Sequence, residues 1–136
     1  RLRSGDRTGA ALEALTAVDT AETLPPTRAY ALAVLAKVRL GAGVPGEALR
    51  AAREAMEILE RLGDLDAGES FLRLVHAEAL AANGLRSEAE AAARAAADKL
   101  RARAKRIGDR KWRSSFLERV PENARTLNWT PDGTGL

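Results

Sequence analysis

His76 is the one side chain in the sequence whose ordinary pKa lies near neutrality, so it is the first candidate for a general base. No serine stands in a recognisable nucleophile pattern with it. Glu78, two residues on, would face another direction on a helix. A place on or between helices is the stronger reading for His76. Gly41-x-Gly43-x-x-Gly46 spells the dinucleotide fingerprint, but that motif needs a preceding strand to bring glycine backbone against a pyrophosphate. Here a helical pattern precedes it and Pro45 lies inside it, so it reads as a turn between helices. Glu54, Glu57 and Glu60 have the i, i+3 spacing of a carboxylate metal site. Arg50, Arg53 and Arg61 are interspersed with them, which favours a salt-bridged, solvated face. With no cysteine, thiolate zinc sites, disulfides and cysteine nucleophiles are excluded together. Asn128-Trp129-Thr130 is a formal glycosylation sequon that matters only in a secreted setting. Neither a P-loop nor the kinase signatures His-Arg-Asp and Asp-Phe-Gly occur. The expectation is a chain that is not itself an enzyme, with no catalytic residue, metal site or cofactor.

The elements that would position these residues are helices. Among 136 residues there are 29 alanines, only five aromatics and few β-branched residues, a composition that disfavours sheet. A shift of 41 carries Val34, Ala36, Gly43, Glu47, Ala48, Ala51, Ala52, Arg53 and Ala55 onto Val75, Ala77, Gly84, Glu88, Ala89, Ala92, Ala93, Arg94 and Ala96, and Tyr30 onto Phe71. Past residue 100 a shift of 45 takes over, carrying Gly63-Asp64 onto Gly108-Asp109 and Ser70-Phe71-Leu72 onto Ser115-Phe116-Leu117. The four extra residues are about one helical turn, which preserves the inward face. Each unit then predicts two helices. The first starts after Pro25-Pro26, with Tyr30, Val34, Leu35 and Val38 at helical spacing and Leu40 behind them, and ends in the glycines around Pro45. The second runs over 46–62, with Ala48, Leu49, Ala52, Ala55, Met56 and Leu59 inward. In the next unit, Asp66 with Glu69 resembles a capping box and opens a helix carrying Phe71, Val75, Leu80 and Ala82. Ser87 with Glu90 opens another that runs to Ile107. Residues 7–20, with Leu12, Leu15 and Val18 inward, predict the second helix of a preceding unit. A last helix from Arg110 should bend or break at Pro121.

The expected fold is all-α: one domain over 1–127, built as a right-handed superhelical array of antiparallel helix pairs. It comprises about two and a half repeats and a C-terminal capping helix, followed by a flexible tail over 128–136. A single amphipathic pair cannot bury its own apolar face, so stacking must supply the core.

Gly43-x-x-x-Glu47-Ala48 and Gly84-x-x-x-Glu88-Ala89 resemble the inter-helix turn of tetratricopeptide repeats. Ala36, Ala48 and Ala55, with Ala77, Ala89 and Ala96, fall at that family's small packing positions. The period is longer than the usual 34, and Leu32 and Arg73 stand where a large aromatic is expected. The chain is similar instead to the long-helix variety of bacterial regulatory ATPases. Residues 113–127 resemble the closing segment of repeat regions in large bacterial serine/threonine protein kinases and signalling ATPases. The resemblance implies a non-catalytic, cytoplasmic interaction or scaffold module of a bacterial signalling protein.

In that frame the first helices line a groove for a protein or peptide partner, with Tyr30, Ala33 and Lys37 matched by Phe71, Leu74 and Glu78. Two rival readings stand beside it. Residues 99–113 hold eight basic residues and one acid, in a chain of net charge +3. Lys99, Arg103, Arg106, Arg110 and Arg113 would form a stripe able to neutralise phosphates, although no recognition-helix pattern accompanies it and a nucleic-acid partner is the weaker expectation. Trp112 and Phe116 are expected either to cap the stack or to form an interface, which leaves a homo-oligomer or structural spacer as the other alternative. No stretch approaches the roughly 18 apolar residues of a membrane span, so no membrane partner is expected.

Overall fold

The computed structural model describes residues 24–63, 65, 68–106, 117 and 121–129. Among the described residues every regular element is a helix: α1 (Pro25–Gly41), α2 (Pro45–Leu62), α3 (Glu69–Ala82), α4 (Arg86–Lys105) and α5 (Pro121–Leu127). Within each unit the two helices pack on each other, α1 on α2 and α3 on α4. The first helix of the next unit packs on both: α3 contacts α1 and α2, and α5 contacts α3 and α4. That relation, repeated twice, makes the fold an array.

Burial follows the 41-residue frame. Ala36 and Ala77, Ala48 and Ala89, Ala52 and Ala93, Ala55 and Ala96, and Leu59 and Leu100 are all buried pairs. Alanine at facing positions lets the helices approach closely. The bulk is supplied by a few larger side chains, of which Leu59, Leu72, Leu100 and Val75 are the most completely enclosed.

The turns within units are built alike. In the first, Gly43 donates its N–H to the Leu40 carbonyl and Val44 to the Arg39 carbonyl. In the second, Gly84 donates to Ala81 and Leu85 to Leu80. These are Schellman closures, which need a residue at positive φ, and Gly43 and Gly84 supply it at 80° and 76°. Val44 and Leu85 then serve at once as the last residue of the closure and the N-cap of the next helix, with Pro45 opening α2.

Several expected boundaries shift. Ser87 does not cap α4, because Leu85 already holds the N-cap position and no side chain bonds there. The helix expected from Asp66 starts at Glu69, with Gly68 as N-cap in a left-handed conformation. Pro121 opens α5, in keeping with its fixed φ and missing N–H, while most of the stretch expected to lead into it from Arg110 lies outside the described residues. Met56, expected inward, is only half-buried.

Residues 128–129 are tied to the fold rather than loose. Asn128 donates its backbone N–H and its Nδ2 to the Ala124 carbonyl, and Trp129 packs against the core cluster. The remaining tail, 130–136, and the helix expected over 7–20 lie outside the described residues.

Candidate functional site

The first helices bring repeat-matched residues into contact. Tyr30 of α1 and Phe71 of α3, 41 apart in sequence, have ring centroids 5.5 Å apart and planes inclined at 41°, within the range of favourable tilted aromatic pairs. Tyr30 is nevertheless 48% exposed, one of the few large apolar side chains so open. Its ring also lies against the linker between the units: a Cβ on Gly68 would stand 2.7 Å from Tyr30 Cδ1. Two turns along α1, Lys37 Nζ reaches Glu78 Oε1 at 3.3 Å, again across a separation of 41. Arg125 of α5 takes the other carboxylate oxygen of Glu78. A row Lys37–Glu78–Arg125 therefore crosses all three first helices. The cations are the open members, with side chains 43% and 51% exposed against 17% for Glu78.

Ala33 and Leu74, expected to line the same groove, do not. Both are buried in the core. On each helix the position three residues after the aromatic turns toward the packed side, and on α1 the next residue, Val34, comes part-way to the surface instead. The face open to a partner thus consists of Tyr30, Val34, Lys37, Phe71, Glu78 and Arg125. Arg125 was missed because the frame places Asn123, a buried residue, opposite Glu78. Only a shift of 47 would have found it.

The expected basic stripe is redirected at its start. Arg103 donates to the Leu65 carbonyl at 2.7 Å and to Glu69 Oε1 at 3.2 Å, and Lys99 Nζ stands 3.9 Å from Glu69 Oε2. Glu69 is almost wholly buried and also accepts hydrogen bonds from Arg73 Nε at 2.9 Å and from the Leu65 N–H at 3.2 Å. Burial pushes its carboxyl up, but the bonds from Arg73 and Leu65 and the charges of Arg73 and Arg103 outweigh this and hold it below its ordinary value. Arg103 therefore fastens the linker to α3 and α4, while Lys99 stays exposed beside Glu69 and Arg106 is exposed as well. Arg110, Arg113, Trp112 and Phe116 lie outside the described residues.

His76 sits between helices, half-buried. Burial lowers its pKa, the charges of Arg53 and Arg73 lower it further, and Glu88 and Glu60 oppose them. Glu54, from the acidic run of α2, is paired with Arg28 of α1. Among the described residues no three His, Cys, Asp or Glu side chains are grouped so as to hold a metal ion. No described helix is long and apolar enough to cross a membrane.

The class that this geometry defines is an all-helical array of stacked helix pairs. Comparison with family models, with curated proteins and with solved structures returned no match.

Proposed function

We propose that the chain is a non-catalytic interaction module of the tetratricopeptide type, which holds a protein or peptide segment against the face made by α1, α3 and α5. The observation that carries this reading is the exposed Tyr30 ring on Phe71, in line with the Lys37–Glu78–Arg125 row. A half-open aromatic seated on a rigid neighbour is the kind of anchor that dominates small interfaces. Because the face is formed by packed helices, little ordering cost attends binding. The resemblance of residues 113–127 to the ends of bacterial signalling repeat regions makes a scaffold role in a cytoplasmic signalling protein the natural setting.

The test is a peptide array probed with the wild-type chain and with Tyr30→Ala, each first checked for equal helicity. Spots that bind wild type and fade with Tyr30→Ala support the reading. Spots indifferent to Tyr30→Ala but lost on charge reversal at Arg106 would move the site to the basic stretch and overturn it.

A further inference from the structure

We infer that two copies of the chain associate antiparallel along α2, and that the order of charges on its open face sets the pairing. This face is separate from the one formed by α1, α3 and α5, so the inference does not depend on the interaction reading. Arg50, Arg53, Glu57 and Glu60 are all exposed and share one stripe of α2, at steps of three, four and three residues. A groove of about 1070 Å³ runs along the stripe, lined among the described residues by α2 alone, from Gly46 to Arg61.

The stripe changes sign half-way, two arginines followed by two glutamates, and packing within the chain does not use these charges. Among the described residues Arg50, Glu57 and Glu60 make no hydrogen bond or salt bridge, and Arg53 has only the exposed Glu88, 3.9 Å away. Arg53 and Glu57 stand four residues apart in the weaker, arginine-first order, and no bond joins them. Glu60 lies in the last turn of α2, where the helix dipole disfavours an acid. The acids at the edge of α2 are taken by contrast, Glu47 by Arg39 and Glu54 by Arg28 of α1.

These features choose the occupant. A polyanion gains at Arg50 and Arg53 but loses at Glu57 and Glu60, and a wholly basic segment does the reverse. The partner must change sign along its length at the same spacing, as α2 of a second copy does when it runs the other way. With the two-fold axis at the level of Ala55, Arg50 faces the partner's Glu60 and Arg53 faces the partner's Glu57. Each pair recurs by symmetry. The alternating steps are those of an antiparallel helix pair, whose stripe positions meet across the seam. A parallel pair would set Arg50 on its own copy. From Arg50 to Glu60 is about 15 Å of helix, and exposed pairs are individually weak. The dimer is accordingly weak, concentration-dependent and sensitive to salt.

The test is sedimentation of the whole chain in a concentration series at about 50 mM and about 500 mM salt, between which the screening length falls about three-fold. Expected is a monomer–dimer equilibrium whose dissociation constant rises about ten-fold at the higher salt. Arg50→Glu and Glu60→Arg each turn two of the four contacts repulsive, so each variant alone should be monomeric. Mixed in equal amounts, the two should dimerise with each other, because opposite signs again face across the seam. Circular dichroism verifies that each variant folds, and Arg53→Glu with Glu57→Arg gives a second exchange pair should either fail. A chain that stays monomeric throughout the low-salt series overturns the inference. A dimer untouched by either single reversal also overturns it, and moves self-association to another surface such as that expected around Trp112 and Phe116. If both reversals weaken the dimer but mixing restores nothing, the antiparallel register is wrong.

Discussion

Glu69 concentrates three cations and a backbone N–H on one buried carboxylate, at the point where the first unit hands over to the second. Its folded pKa lies below the ordinary 4.5. The stability it contributes is therefore complete above that ordinary value and is lost as pH falls through it toward the folded value. Glu69→Gln should destabilise at pH 7 by about 2 kcal/mol, less than for a wholly buried pair because Arg73 and Arg103 keep some solvent. It should also flatten the acid limb of a urea-midpoint profile below pH 4.5. His76 acts in a different window. Its pKa is lowered from 6.5, so the stability cost of protonating it begins as pH drops through 6.5 and grows until the folded value is passed. His76→Gln should remove the slope that sets in below pH 6.5 while leaving the Glu69 limb intact. Of these two groups, the sequence placed His76 on or between helices without choosing, and did not announce the clamp at Glu69. The reason is that Arg103 and Lys99 read as a solvent stripe when only their helical spacing is known. The inward turn of Arg103 depends on where the linker at Leu65 passes, which is a tertiary fact. Gly68 is a similar case: its φ of 88° and the Tyr30 ring both exclude a Cβ. Gly68→Ala should cost upward of about 1 kcal/mol by thermal denaturation, and should also loosen the ring pair, seen as a changed tyrosine environment in near-UV circular dichroism.

The turns show which features of an element a sequence exposes. Gly43 and Gly84 marked the two closures because only a residue tolerant of positive φ suits them, and both adopt it. The starts of α3 and α4 were hidden. Capping boxes were expected at Asp66 and Ser87, yet at α4 the tight closure gives the N-cap position to an apolar residue. At α3 the Glu69 side chain does reach back to a backbone N–H, as a capping-box glutamate would, but it bonds Leu65 from the first residue of the helix. Asn83 adds a link between units that no local pattern announces: its Nδ2 donates to the Pro45 carbonyl at 2.8 Å and to the Ala79 carbonyl at 2.7 Å. Asn128 repeats the second of these bonds at the end of α5, which extends the 45-residue frame to this turn. There, however, Trp129 takes the glycine position without a positive φ, and the bond from its N–H to Thr126 is long at 3.4 Å. Asn83→Ala should cost about 1 kcal/mol, the usual net worth of a hydrogen bond. Hydrogen exchange should report the loss in both the 42–45 and the 83–86 turns, although only one of them is mutated.

At the scale of the whole molecule, α3 stands apart among the described helices, because its backbone packs closely on α1, α2, α4 and α5, whereas α2 meets α4 mainly through the exposed Arg53–Glu88 pair. Stability in such an array is a sum of units and neighbour interfaces, so a defect spreads only as far as its interfaces carry it. Leu72 of α3 and Leu100 of α4 are both fully enclosed leucines, and truncating either should cost about 2–5 kcal/mol. Their reach should differ. Leu100→Ala lowers amide protection in α4 and α5 first, and α1 with α2 keeps most of its own, held by its shared core of Ala36, Ala48, Ala52 and Leu59. Leu72→Ala lowers protection across all the described helices together, since it loosens the element through which the two units communicate. Equal loss everywhere in both variants, at matched total destabilisation, would mean that the stack unfolds as one cooperative block and that α3 has no special place in it. A graded loss for Leu100→Ala would instead make the proposed recognition face directional: a partner seated on Tyr30 and Lys37 of α1 would reach α4 chiefly through Phe71, Glu78 and the α3 core behind them.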